Sequence, residues 1–129
     1  MFQLSGGLMF SGISNVRIFV DDWRGAVAFY RDVIGLPLAF LSEAPPYAGF
    51  MAGSVTLMLE PGGDEHGALV GRFTGISLAT EDLAAEYQRL IDDGVEFLHT
   101  PQKQPWGALL THFKDPSGNV ITVVEYRRA

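Results

Sequence analysis

Apolar and polar side chains alternate from Gly12 to Val20, which sets Val16, Ile18 and Val20 on one side of a strand and Asn15, Arg17 and Phe19 on the other. The period then lengthens: Trp23, Ala26, Val27, Tyr30, Val33 and Ile34 recur every three or four residues. With Asp21-Asp22 as N-cap and Gly35 as stop, this spacing predicts an amphipathic helix of about three turns. Three short strands follow, at Leu38 to Leu41, Tyr47 to Ala52 and Val55 to Glu60, divided by the turn-rich Ser42 to Pro46 and by Gly53-Ser54. Pro61 to Gly67 has the composition of a linker.

The order then repeats. Gly75 to Ala79 reads as a strand, Thr80 or Asp82 as a cap, and Leu83, Tyr87, Leu90 and Ile91 as a helical stripe closed by Gly94. Val95 to His99 is a strand, Pro101 to Gly107 a loop, and Ala108 to Phe113 leads into a hairpin. Asp115-Pro116-Ser117-Gly118 spells its type I turn. The arm after it, Val120 to Tyr126, is almost wholly β-branched or aromatic and is expected to be a central strand. Val20 with Thr80, Gly35 with Gly94, and Glu60 with Thr122 stand about sixty residues apart. The chain therefore reads as one α+β domain over 1–129: a βαβββ module over about 12–60, a linker over 61–67, and a second module over about 73–127. One helix covers only one face of a four-stranded sheet, so the open faces are expected to curl into a half-barrel cup with the helices outside. Met1 to Phe10 is expected to be a frayed tail or an extra edge strand.

Composition narrows the partners. A net charge of −6 lacks the basic footprint that nucleic acid or an anionic membrane requires. No apolar run approaches the length of a membrane span, and no charged n-region or long apolar h-region opens the chain. Without cysteine there is no disulfide, thiolate zinc site or cysteine nucleophile, and a cytoplasmic location is expected. A small-molecule ligand and a homodimer are the expected partners.

Val20-Asp21-Asp22 before a helix containing Phe29-Tyr30-Arg31-Asp32-Val33-Ile34-Gly35-Leu36, the repeated unit, Pro105-Trp106-Gly107, and Asp115-Pro116-Ser117-Gly118-Asn119 before the last strand resemble the vicinal oxygen chelate superfamily. That is the group of glyoxalase I, bleomycin and fosfomycin resistance proteins and extradiol dioxygenases, and the likeness covers roughly residues 12 to 127. The resemblance implies metal ligands at four places facing the cup, on the first and last strand of each module. Here those places fall on Asn15, Glu60, Gly75 and Thr122, and only Glu60 matches. A catalytic divalent metal needs about three His or carboxylate ligands. The expectation is accordingly a small-molecule-binding protein with no cofactor and no metal. The alternative is a lyase, isomerase or dioxygenase, with a divalent metal in a rearranged site at Glu60 or with metal-free acid–base chemistry at Glu60 and His112.

The expected ligand-binding residues are Asn15, Arg17, Phe19, Phe50, Met58, Glu60, Trp106, His112 and Thr122, with Phe40 and Tyr47 as further candidates for the cup wall. Glu60 and Arg17 have two readings: an ion pair with each other, because buried charges are found paired, or separate contacts to a cationic and a carboxylate group of a ligand. His112 is either a hydrogen-bonded structural residue or a proton carrier, and would be catalytic with Glu60 if the protein is an enzyme. His99 and His66 are expected in solvent. Trp106 either plugs an end of the cup or offers a stacking surface at its rim. Phe50 is read as lining the cup from strand parity alone.

Overall fold

The computed structural model describes residues 9–125. The expected edge strand over Met1 to Phe10 falls almost wholly outside them, as does Tyr126. Strand β1, Asn15–Val20, leads to helix α1, Trp23–Ala28, whose start is capped by the Asp22 carboxylate accepting from the Gly25 amide at 3.1 Å. The helix runs on as a wider π-helical turn, Phe29–Ile34, and stops at Gly35 with φ 88°. A plain α-helix was expected there. The widening coincides with two tertiary anchors that spacing along the chain does not reveal: Tyr30 bonds to Asp115, and Phe29 packs on Phe113 with ring centroids 6.2 Å apart.

Strands β2, Leu38–Glu43, β3, Pro46–Ala52, and β4, Val55–Pro61, complete the first sheet in the order β1-β4-β3-β2, with β1 and β4 parallel. The expected turn from Ser42 to Pro46 shrinks to Ala44-Pro45, joined by a cis peptide. The stretch read as a linker contains a helical turn, α2, Gly63–His66, and a 3₁₀ turn, Gly67–Leu69. Then come β5, Phe73–Thr80, α3, Leu83–Asp92, and β6, Glu96–Phe97. A small addition, β7, Gln102–Lys103, precedes β8, Leu109–Lys114, and β9, Val120–Glu125. The second sheet has the order β5-β9-β8-β6, with β5 and β9 parallel, which repeats the first sheet strand for strand. β9 is internal, as its composition requires.

Each sheet turns one face to the helices. Ile18, Val20, Leu57 and Leu59 from the first sheet and Phe113, Ile121 and Val123 from the second join Trp23, Tyr30, Leu83 and Leu90 in one continuous core. Because strand side chains alternate, Arg17, Phe19, Met58 and Glu60, and likewise His112 and Thr122, project from the opposite faces, away from that core.

The β8–β9 turn locks the modules together. The Gly118 amide donates to the Asp115 carbonyl at 2.9 Å, and Gly118 has φ 85°, as the turn demands. The buried Asp115 carboxylate accepts from the Tyr30 hydroxyl at 2.7 Å and from the amides of Ser117 and Asn119. The Asn119 carboxamide donates to the Phe19 carbonyl and to Asp115, and accepts from the amides of Gly71 and Arg72. Ser117 bonds to Asp21 at the end of β1. Among the described residues no helix is long and apolar enough to cross a membrane.

Candidate functional site

Strand register builds the outward face of the first sheet in rows. Phe40 pairs with Gly49, Gly49 with Met58, and Met58 with Arg17, so these four cross the sheet side by side. Glycine at 49 leaves room for the Phe40 ring, which a Cβ there would strike. Beside this row Tyr47 lies across from Ser42 and Phe19 across from Glu60, and Tyr47 packs edge-on to Phe40 at 6.0 Å. Arg17 and Glu60 form a bidentate pair, Nε to Oε2 at 2.7 Å and Nη2 to Oε1 at 3.0 Å. The first of their two readings, pairing with each other, is the one the geometry bears out.

Phe19 is held between the Arg17 guanidinium, 5.1 Å from its ring centre, and the His66 ring, stacked at 4.5 Å. The Arg17 guanidinium holds the Glu60 carboxyl below its ordinary range, against the opposing effect of partial burial. This face is an aromatic and thioether shelf with a half-exposed ion pair at one end. His66 enters it from a segment read as linker; only the helical turn of α2 brings it onto Phe19.

The outward face of the second sheet carries a different group. His112 pairs across with Thr122 and packs against Phe73 at 6.0 Å. His99, expected in solvent, is within hydrogen-bond distance of it: His99 Nε2 lies 2.9 Å from His112 Nδ1. No signal in the sequence joins residues thirteen apart in this way; the Leu98 amide bonding to the His112 carbonyl aligns them. Burial, and secondarily His99, press the His112 pKa below the usual imidazole value.

The register also relocates one implied metal position. Met58 lies opposite Arg17, three residues before the end of β1, and Thr122 lies opposite Ser77, three residues before the end of β5. Met58, not Glu60, is therefore the counterpart of Thr122, and Glu60 stands two residues further along, opposite Phe19. The sixty-residue spacing misleads here because the second module is longer between its helix and its last strand, where β7 is added. Gly75 sits in a register shift of β5 with φ 75°, a backbone shape that explains a glycine where a ligand would be looked for. Asn15 donates to the neighbouring Ser14 hydroxyl. The four places thus hold Asn15, Met58, Gly75 and Thr122, with no carboxylate or imidazole. Among the described residues, no three His, Asp or Glu side chains are placed to hold a metal ion. The residues present do not fit the metal.

Arg17, Phe19, Met58 and Glu60 come together as expected, and Thr122 and His112 are neighbours on the other sheet. Phe50 is not at this face: it alternates with Tyr47 and Gly49 along β3, and the unbroken β3–β4 pairing sets it opposite Leu57, on the face turned to the helices, where it is fully buried against Tyr30. Trp106 stands exposed at the tip of the β7–β8 hairpin. A cleft of about 520 Å³ is lined by Val16 and Leu57 from the first sheet and Ile76 and Leu78 from the second, and carries no charged side chain.

Comparison with known proteins agrees with this architecture. The Bacillus subtilis (strain 168) protein YraH is 30% identical over 119 residues, covering 84% of this chain and 93% of its own. A solved member of the glyoxalase/bleomycin resistance protein/dioxygenase superfamily from Sphaerobacter thermophilus DSM 20745 has a TM-score of 0.82 at 29% identity, with 92% of this chain and all of its own covered. TnmS3, an antibiotic binding protein from Streptomyces sp. CB03234, has a TM-score of 0.79 at 25% identity over 93% of this chain and 99% of its own. A family model matches residues 12–123, and with it the chain belongs to the Glyoxalase/Bleomycin resistance protein/Dioxygenase superfamily.

Proposed function

We propose that this protein is a metal-independent small-molecule binder whose ligand lies on the outward face of the first sheet. The observation that carries the reading is the row Phe40, Gly49, Met58 and Arg17, with the Arg17–Glu60 pair beside it: an apolar shelf for a flat ligand, with one anionic and one cationic group at its end. The similarity to an antibiotic binding protein supports the same class of activity. The donor chemistry of Asn15, Met58, Gly75 and Thr122 supports independence from metal.

Because both outward faces turn away from the shared core, a cup enclosing Glu60 and His112 together combines the first sheet of one chain with the second sheet of another. The exposed Phe40, Met51 and Phe73 on these faces support such a homodimer. Metal analysis and binding of planar aromatic dyes test the reading. The expected result is substoichiometric metal, with dye binding that survives EDTA and is weakened by Phe40→Ala and Glu60→Gln. A stoichiometric divalent metal removed by EDTA together with an activity would refute it. The His99–His112 contact favours a second reading, metal-free acid–base catalysis at His112; turnover abolished in His112→Gln with folding intact would support that reading over pure binding.

A further inference from the structure

Two imidazoles in contact define a direction. His99 Nδ1 lies 2.8 Å from the Thr100 carbonyl, which can only accept, so Nδ1 carries the proton. In the neutral ring His99 Nε2 then has a lone pair and must accept, and at 2.9 Å its donor is His112 Nδ1–H. This leaves the lone pair of His112 on Nε2. A neutral histidine side chain in water favours the Nε2–H form; the pair imposes the other.

Both rings are held in place. The Thr111 hydroxyl donates to the His99 carbonyl at 2.6 Å, and the Leu98 amide to the His112 carbonyl at 2.9 Å. His112 is half-buried on the outward face of the second sheet, with Phe73, 61% exposed, beside it and Thr122 across from it. Among the described residues, Nε2 of His112 has no hydrogen-bond partner beyond those named for the rings.

We propose that His99 fixes His112 as a proton acceptor through Nε2, and that His112 with Phe73 forms a binding site for a weakly acidic aromatic hydroxyl, a phenol or ring enol. Nε2 accepts the hydroxyl proton, and Phe73 packs on the ring that bears it. His112 is the binding residue and His99 the positioning residue. The inference goes beyond the shelf on the first sheet and uses none of its residues.

Two measurements on the full chain test it. In protein labelled with ¹⁵N-histidine, long-range ¹H–¹⁵N spectra above the imidazole pKa should show both rings protonated at Nδ1, and in His99→Leu the ring of His112 should move toward the Nε2–H form. In titrations with 4-nitrophenol, His112→Phe should bind about tenfold more weakly than the original protein, the loss of one strong hydrogen bond. Binding of 4-nitroanisole, which has no hydroxyl proton, should be the same in both. Thermal melts establish that the variants fold, and His112→Gln replaces His112→Phe if the latter does not. A dominant Nε2–H form of His112 in the original protein would overturn the proposal. So would no binding of 4-nitrophenol, unchanged binding in the variant, or a metal ion ligated by both rings in the purified protein.

Discussion

Replacement of Asn119 by alanine should be among the costliest single changes outside the apolar core. The side chain is 1% exposed and makes four hydrogen bonds: to the Phe19 carbonyl at 2.9 Å, to the Asp115 carboxylate at 3.0 Å, and from the Gly71 and Arg72 amides at 2.8 and 3.2 Å. An unsatisfied buried polar group costs about 1–3 kcal/mol. Not all four partners are stranded, since Asp115 keeps Tyr30 and two amides, and the bonds to Gly71 and Arg72 are only part-buried and admit water. A net loss of about 2–4 kcal/mol follows. At ~2.1 cal/mol/K per residue, a chain of this length unfolds with an entropy of ~0.27 kcal/mol/K, so the expected fall in Tm is about 7–15 °C. Calorimetry or far-UV dichroism on heating measures it. Ser117→Ala serves as the control, since its hydroxyl bonds Asp21 at an exposed site and its loss should cost below about 1 kcal/mol. If Asn119→Ala melted within 2 °C of the original protein, roughly the effect of half a kcal/mol, the turn would not be the lock between modules that its bonds describe.

Other expectations are smaller or differ in kind. Gly75→Ala should lower stability by about 1–2 kcal/mol in urea titration, through backbone strain alone, because a Cβ at Gly75 meets no atom within 4 Å while φ is 75°. Glu60→Gln should change stability by less than about 1 kcal/mol, since its Arg17 partner is 48% exposed and water screens the pair. Stability should decline as the pH drops below about 6.5: His112 has a lowered pKa when folded, so the unfolded chain binds its proton first, and the stabilisation present above 6.5 is lost as pH falls through the folded value. That part of the decline should shrink in His112→Gln, while Glu60, also lowered, adds a separate loss below its ordinary 4.5. Light scattering should return twice the 14.1 kDa of one chain, and a monomer would remove the proposed two-chain cup.

Local patterns carried most of the fold. Alternation in β1, the three-and-four spacing from Trp23 to Ile34, the caps at Asp22 and Asp82 and the turn at Asp115 to Gly118 are decided by neighbours in sequence, so each is legible in the residues themselves. The doubled βαβββ order follows from them, and so does the pairing of Arg17 with Glu60, because parity puts both on one face. Phe50, the counterpart of Thr122, and the His99–His112 contact were not legible. Each depends on register: the β3–β4 pairing that sets Phe50 opposite Leu57, two modules of unequal length, and a short β6 that seats His99 against β8. What the residues determine by themselves is which elements form and which side chains share a face. Which faces meet, and which lone pair points outward from His112, only the tertiary structure decides, because a slip of one residue between strands costs little locally and reverses every side chain it touches.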